Sequence, residues 1–265
     1  MSEVISNAQT YSAQTYNSHV SISDFTVVNS GILNLSGATG YNVTVSSGGI
    51  VDVYNGLSFF YLSTYATSFS AYVPTSGLLD GATISSGGSI YLESFNNFGS
   101  PFSNLVEASN VDLQNSAYMF VASGDLAFST TLESGATLNV IAGGTIFNTL
   151  LESGATLITE SGVTASGITL ESGATFSLDS GTMIPGTIVE SGGELIISSG
   201  QSFSDVEISS GGTVLILSGG QLSDSSNENN GTVYVFSGGE TNLSSTESAN
   251  VLSPALALWD RNNQT

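Results

Sequence analysis

The residues able to do chemistry are few, and most are carboxylates. Glu133, Glu152, Glu171 and Glu190 recur at a constant interval of nineteen. If each interval closes one turn of a repeating fold, the four stack about 5 Å apart, close enough for like charges to raise one another's pKa. Neighbouring carboxylates of this kind can chelate a hard cation such as Ca2+, which takes several oxygen ligands. They can equally splay into solvent. Ser209 interrupts the column at the next interval and no glycine-rich Asp nonapeptide is present, so the solvated ladder is the leading expectation. The chain has no cysteine, which removes thiolate nucleophiles and thiolate metal sites. Its one histidine, His19, would have to carry any Ser-His-Asp triad, and it reads more simply as a surface or core-edge residue of a strand. Acidic residues do come together in sequence as Asp205 and Glu207, with Glu190 or Asp224 an interval away. Cleavage of acidic polysaccharide, however, needs a cationic base or cationic substrate-binding groups beside such carboxylates. Arg261 is the only Lys or Arg. The expectation is a non-enzymatic protein without a cofactor.

With 22 acidic residues, the formal net charge is −21, which excludes nucleic-acid binding by phosphate neutralisation. The bulk of the chain is nevertheless uncharged, with 31 Gly, 48 Ser and 26 Thr, residue types of weak helix propensity. Since 40% of residues are apolar, the chain has the means to fold. No stretch approaches the 18 or more apolar residues of a membrane span, and insertion into a membrane is not expected. The first thirty residues carry neither a basic stretch nor an apolar run, so no Sec-type signal is expected in them.

Fixed-interval repetition decides what must position these groups. Gly135, Gly154, Gly173, Gly192 and Gly211 keep the same interval of nineteen, and so do Gly143, Gly162, Gly181, Gly200, Gly219 and Gly238. Between the glycines, Leu138, Leu157, Phe176, Leu195, Val214 and Val233 form one column, and Val140, Thr159, Leu178, Ile197, Ile216 and Val235 a second, two positions on. Two positions is the spacing of one strand face. Leu132, Leu151, Leu170, Val189 and Ile208 form a third column, while Asn148, Gly167, Gly186, Asp205 and Asp224 mark positions tolerant of left-handed backbone. Three corners and three short sides per period predict an all-β fold: a single-stranded parallel β-helix, right-handed by the general rule for parallel crossovers.

The sequence divides accordingly. Residues 1–131 are expected to form irregular coils with aromatic insertions at 57–76 and 93–120, residues 132–245 six regular coils, and residues 246–265 an aperiodic tail or cap. The first insertion holds Phe59, Phe60, Tyr61, Tyr65, Phe69 and Tyr72, which would either pack the solenoid end or form a binding surface. In the last coils, alternation turns Ile196, Leu215, Leu217, Tyr234 and Phe236 outward on one face. A contiguous apolar face of that kind marks an interaction site, to be covered by a second copy, a further domain or the chain's own tail around Trp259. Thr137, Thr156, Thr175, Thr213 and Thr232 also form an outward column, but the ice-binding pattern fails because the column two positions on is not threonine.

The tandem units LESGATLNVIAG, LESGATLITESG and LESGATFSLDSG, with their SGA or SGG turns followed by a strand, resemble the repeats of AIDA-type self-associating autotransporter adhesins. The resemblance implies a bacterial passenger domain, extracellular or at the cell surface, that mediates adhesion, aggregation and biofilm formation. It also implies a dedicated glycosyltransferase as a partner, with Ser134, Ser153, Ser172, Ser191 and Ser210 as the sugar acceptors. Similar repeats precede bacterial Hint domains, so a receptor-binding or spacer segment of a larger assembly, such as a phage fibre or the front of a Hint-processed protein, is the alternative. Homo-oligomers, glycans and host surfaces are the expected partners.

Overall fold

The structure is a computed structural model. It describes strands between Glu3 and Leu252, and side-chain environments at residues 80–84, 87–92, 106–181, 183–226 and 231–242. His19, Tyr65, Trp259 and Arg261 lie outside the described residues.

One coil shows how the sequence makes the fold. Thr137–Val140 is a short strand that buries Leu138 and Val140 and turns Thr137 and Asn139 outward. After a glycine turn, Thr145–Leu151 is a longer strand, bent where Asn148 adopts φ 52°. The bend makes two sides out of one strand, so each coil has three. Ser129, Gly167, Gly186, Asp205 and Asp224 hold the same bend with φ between 49° and 70° in the other coils. At the first turn Gly192 has φ 78°, and a Cβ there would meet Ser172 Oγ of the coil below at 2.5 Å. That position is therefore closed to any side chain on two counts.

Coils stack in parallel with a register of nineteen: Thr137 pairs with Thr156, and Thr156 with Thr175. The bent strands form one sheet whose rungs run from Glu3–Ser6 to Glu207–Ile208. The straight strands form a nine-stranded sheet from Ala13–Asn17 to Thr175–Leu178, after which a separate four-stranded sheet begins at Glu194–Ile197. A further four-stranded sheet starts at Met183–Pro185. The core is the stack of inward columns. Leu138, Leu157, Leu195, Val214 and Val233 have no solvent exposure, nor do Leu132, Leu151, Leu170, Val189 and Ile208. Each such side chain contributes roughly 1.5–3 kcal/mol of apolar burial, repeated once per coil.

Several expected boundaries are corrected. Within 57–76, Ser58–Thr64 is a rung of the bent sheet, with Phe59 paired to Gly40 and Leu79, and Phe69–Pro74 is a rung of the straight one, so these strands belong to the stack and not to an insertion. Phe59, Phe60, Tyr61, Phe69 and Tyr72 stand in strands, where aromatic residues are favoured. The regular register reaches back past residue 132 to Glu107, which pairs with Leu126, and Tyr118 and Phe120 are rung residues. Extra chain does lie between Leu92 and Val106, since Ile90 pairs with Met119, a longer step than the usual nineteen. The early coils vary instead by a residue or two, as in Glu3 to Val20 and Ile32 to Ile50. In the tail, Asn250–Leu252 continues the stack by pairing in parallel with Thr232–Tyr234.

The inner column at the start of the third side contains Thr130, Thr149 and Thr187 beside Ile168 and Val206, and the three threonine hydroxyls are buried without a partner among the described residues. A buried hydroxyl left unpaired costs about 1–3 kcal/mol. Replacing Thr149 by Val keeps the shape and removes the unpaired group, so it should stabilise the fold by about 1 kcal/mol in chemical denaturation.

Candidate functional site

The straight strands put one outward stripe along the molecule. In register order it runs Tyr91, Phe120, Asn139, Ile158 and Ser177, and resumes beyond the break as Ile196, Leu215 and Tyr234. Ile196 is 45% exposed and Ile158 39%, values far above those of the buried residues that alternate with them. Leu215, Leu217, Tyr234 and Phe236 are partly exposed. The structure thus brings Ile196, Leu215 and Tyr234 into one outward column, with Leu217 and Phe236 at the adjoining corner. At the other end of the stripe, Tyr91 lies 5.9 Å from Tyr118 and 6.2 Å from Phe120 between ring centroids, at tilted angles that favour aromatic contact. Asn139 Nδ2 donates to the Tyr118 hydroxyl at 3.2 Å and fixes its direction. This aromatic end was not anticipated from the sequence. Extending the outward column backwards by one period from Asn139 would have reached Phe120, but the longer interval between Tyr91 and Phe120 conceals the rest.

Charge is distributed unequally around the coil. The two outward columns of the straight strands, from Tyr118 and Phe120 to Thr232 and Tyr234, contain a single acid, Glu194. Carboxylates gather at the corners. Glu133, Glu152 and Glu171 are partly exposed and Glu190 exposed, one per coil. Burial holds the Glu133 carboxyl above its ordinary pKa, with the charges of Asp112 and Glu152 adding to the effect and a hydrogen bond from Gln114 opposing it. Among the described residues, no three His, Cys, Asp or Glu side chains gather to hold a metal ion. On the bent sheet, Asp80 Oδ1 accepts from Asn110 Nδ2 at 2.7 Å and Ser109 Oγ at 2.8 Å, and those bonds hold its carboxyl below the usual value. Above it a groove of about 440 Å3 follows the bend, lined by Asn110, Asp112, Ser129, Thr131, Asn148 and Leu150.

Ser134, Ser153, Ser172, Ser191 and Ser210 are all exposed at the first turn. A second exposed serine column, Ser161, Ser180, Ser199, Ser218 and Ser237, occupies the second turn. It shares the period of nineteen and could have been read from the sequence beside the second glycine column.

Because the native state holds the Glu133 proton more readily than the unfolded chain does, this group makes stability fall as pH rises through the carboxylate range. Glu133→Gln should therefore raise Tm slightly at pH 7. The gain should vanish below about pH 4, as read by thermal melts across a pH series.

No protein-family model matches the chain. No curated protein matches it. Among solved structures, it is similar to the crystal structure of a TibA fragment spanning residues 55–350, hyper-glycosylated by TibC catalysis. The two share 21% sequence identity and superpose with a TM-score of 0.66 over 95% of this chain and 99% of that one. The likeness establishes the parallel β-solenoid as the fold.

Proposed function

We propose that the chain is a non-enzymatic bacterial adhesion module, displayed at the cell surface or secreted, that associates with further copies of itself through the outward face of its straight strands. One observation carries this reading: a molecule of net charge −21 keeps one long face almost free of carboxylates and lines it with Tyr91, Tyr118, Phe120, Ile158, Ile196, Leu215 and Tyr234. Two copies approaching by their acidic corners repel one another, whereas approach by this face brings apolar surface together at the least electrostatic cost. Contacts repeated once per coil add along the axis, so many weak contacts replace one strong site. The resemblance of the repeats to self-associating adhesins supports the same reading. Replacing both Leu215 and Tyr234 by Ser should shift the sedimentation distribution toward monomer. A wild-type chain that is monomeric at every concentration would favour a spacer or receptor-binding segment instead.

A second reading concerns modification. The exposed serines at the first turn stand one per coil, and the solved TibA fragment of similar fold is hyper-glycosylated. We infer that Ser134, Ser153, Ser172, Ser191 and Ser210 accept sugars from a glycosyltransferase of the same host. Intact mass of protein from its native source should then exceed the sequence mass in steps of one sugar. Alanine at the five positions should remove the corresponding steps.

A further inference from the structure

The groove along the bend, about 440 Å3 in volume, has a definite beginning and end. One wall is the column Asn110, Ser129 and Asn148, held at the surface with φ of 52°, 54° and 52°. The other is Asp112, Thr131 and Leu150, two positions on and paired in register from coil to coil. Val111 and Thr130, between the walls, are buried, so the floor there is backbone. Gly81 makes the same bend one coil below Asn110, and Gly167 one coil above Asn148. Neither glycine has a side chain to extend the wall. Three walled coils at about 4.8 Å each make a trough roughly 10 Å long, enough for about two sugar rings end to end.

The two ends differ in hydrogen-bonding character. At the lower end the side-chain donors are already engaged: Asn110 Nδ2 donates to Asp80 Oδ1 at 2.7 Å, and Gln114 Nε2 to Asp112 Oδ2 at 3.1 Å. Asn110 keeps its side-chain carbonyl as an acceptor. Asp112 Oδ1 is shielded from solvent and has no hydrogen-bond partner among the described residues. A carboxylate oxygen in that condition is costly until a donor reaches it. With one Lys or Arg against 22 acids, the chain has almost no cation of its own to offer. Farther up, Ser129 and Thr131 carry hydroxyls that donate or accept, Asn148 carries an amide, and Leu150 closes the upper end with an apolar surface.

We propose that this groove binds an amino-sugar oligosaccharide whose amines are free. The ammonium of one ring meets Asp112 Oδ1 and the Asn110 carbonyl, hydroxyls of that ring and the next bond Ser129, Thr131 and Asn148, and an apolar ring face rests on Leu150. The bond from ammonium to carboxylate is charge-assisted and is the strongest of these contacts. The net charge of −21 draws the cation toward the protein. A basic peptide suits the groove less well, because the strands beneath it already pair on both sides and leave a peptide backbone no ladder to join. The site lies on the bent sheet and does not depend on association through the straight-strand face.

The test is isothermal titration of the full chain, at about 0.15 M salt so that long-range attraction is screened. The probes are a β-1,4-linked glucosamine tetramer, cellotetraose, which has the same rings without amines, and tetralysine. The glucosamine tetramer should bind saturably, one per chain, and about tenfold or more tightly than either of the others. Asp112→Asn should weaken it about tenfold or more. Asn148→Gly should weaken it too, and the backbone accepts that change because the same column carries Gly167 and Gly186 with positive φ. Glu171→Gln, which removes an equal charge at a corner outside the groove, should leave binding as it was. Absence of saturable binding overturns the proposal. Tetralysine binding as tightly as the sugar would assign the effect to charge alone, cellotetraose binding as tightly would remove the role of the amine, and binding that survives both Asp112→Asn and Asn148→Gly would place the sugar elsewhere; each of these overturns it as well.

Discussion

Everything in this protein follows from the hydrogen-bonded distance between one coil and the next. A parallel ladder fixes that distance at about 4.8 Å and fixes the register at the same time, so each residue lies directly above its counterpart in the coil below. A side chain is thus judged by whether it tolerates a similar side chain against it. Leucine on leucine, as at Leu138 and Leu157, meets that demand with no solvent exposure. Glutamate on glutamate does not, and the Glu133 column stands at a corner where the carboxylates can turn toward water. The first-turn glycines hold φ between 77° and 85°, and at Gly192 and Gly211 the serine hydroxyl of the coil below also occupies the space a Cβ would need.

The same stacking turns a modest compositional bias into a surface of definite character. With hardly any cations in the chain, charge is not balanced by pairing, only by placement. Acids placed at corners leave the flat outward face of the straight strands nearly neutral, and a single position repeated at every period becomes a stripe the length of the stack. Function in such a molecule is a property of columns. One residue of the stripe offers little contact area, and many in register offer a surface.

Regular stacking also makes departures informative. A phenylalanine at 176 and a proline at 185 are each tolerable alone, but they fall on adjacent sides of one level, and the ladders on both sides part there while the third holds. Gln201 then satisfies two backbone groups that the parted strands leave over. This is a local conflict between a thicker core and a fixed coil spacing, resolved by opening the solenoid rather than by breaking it.

The period of nineteen, the three sides and the inward columns were legible in the sequence because each is a one-dimensional consequence of stacking: equal spacing along the chain becomes coincidence in space. The residues at the bend were readable as well, since Asn148, Gly167 and Asp205 belong to the types that accept positive φ. The outward placement of Ile196, Leu215 and Tyr234 followed from alternation alone. Coils of uneven length hid their period, so Phe59 and Tyr72 read as insertions although they stand in rungs, and the aromatic group of Tyr91, Tyr118 and Phe120 was invisible across its longer interval. The gap bridged by Gln201 could be found only in three dimensions. It depends on how two aromatic rings from different sides of successive coils meet in the core, and no spacing along the chain records that competition for volume.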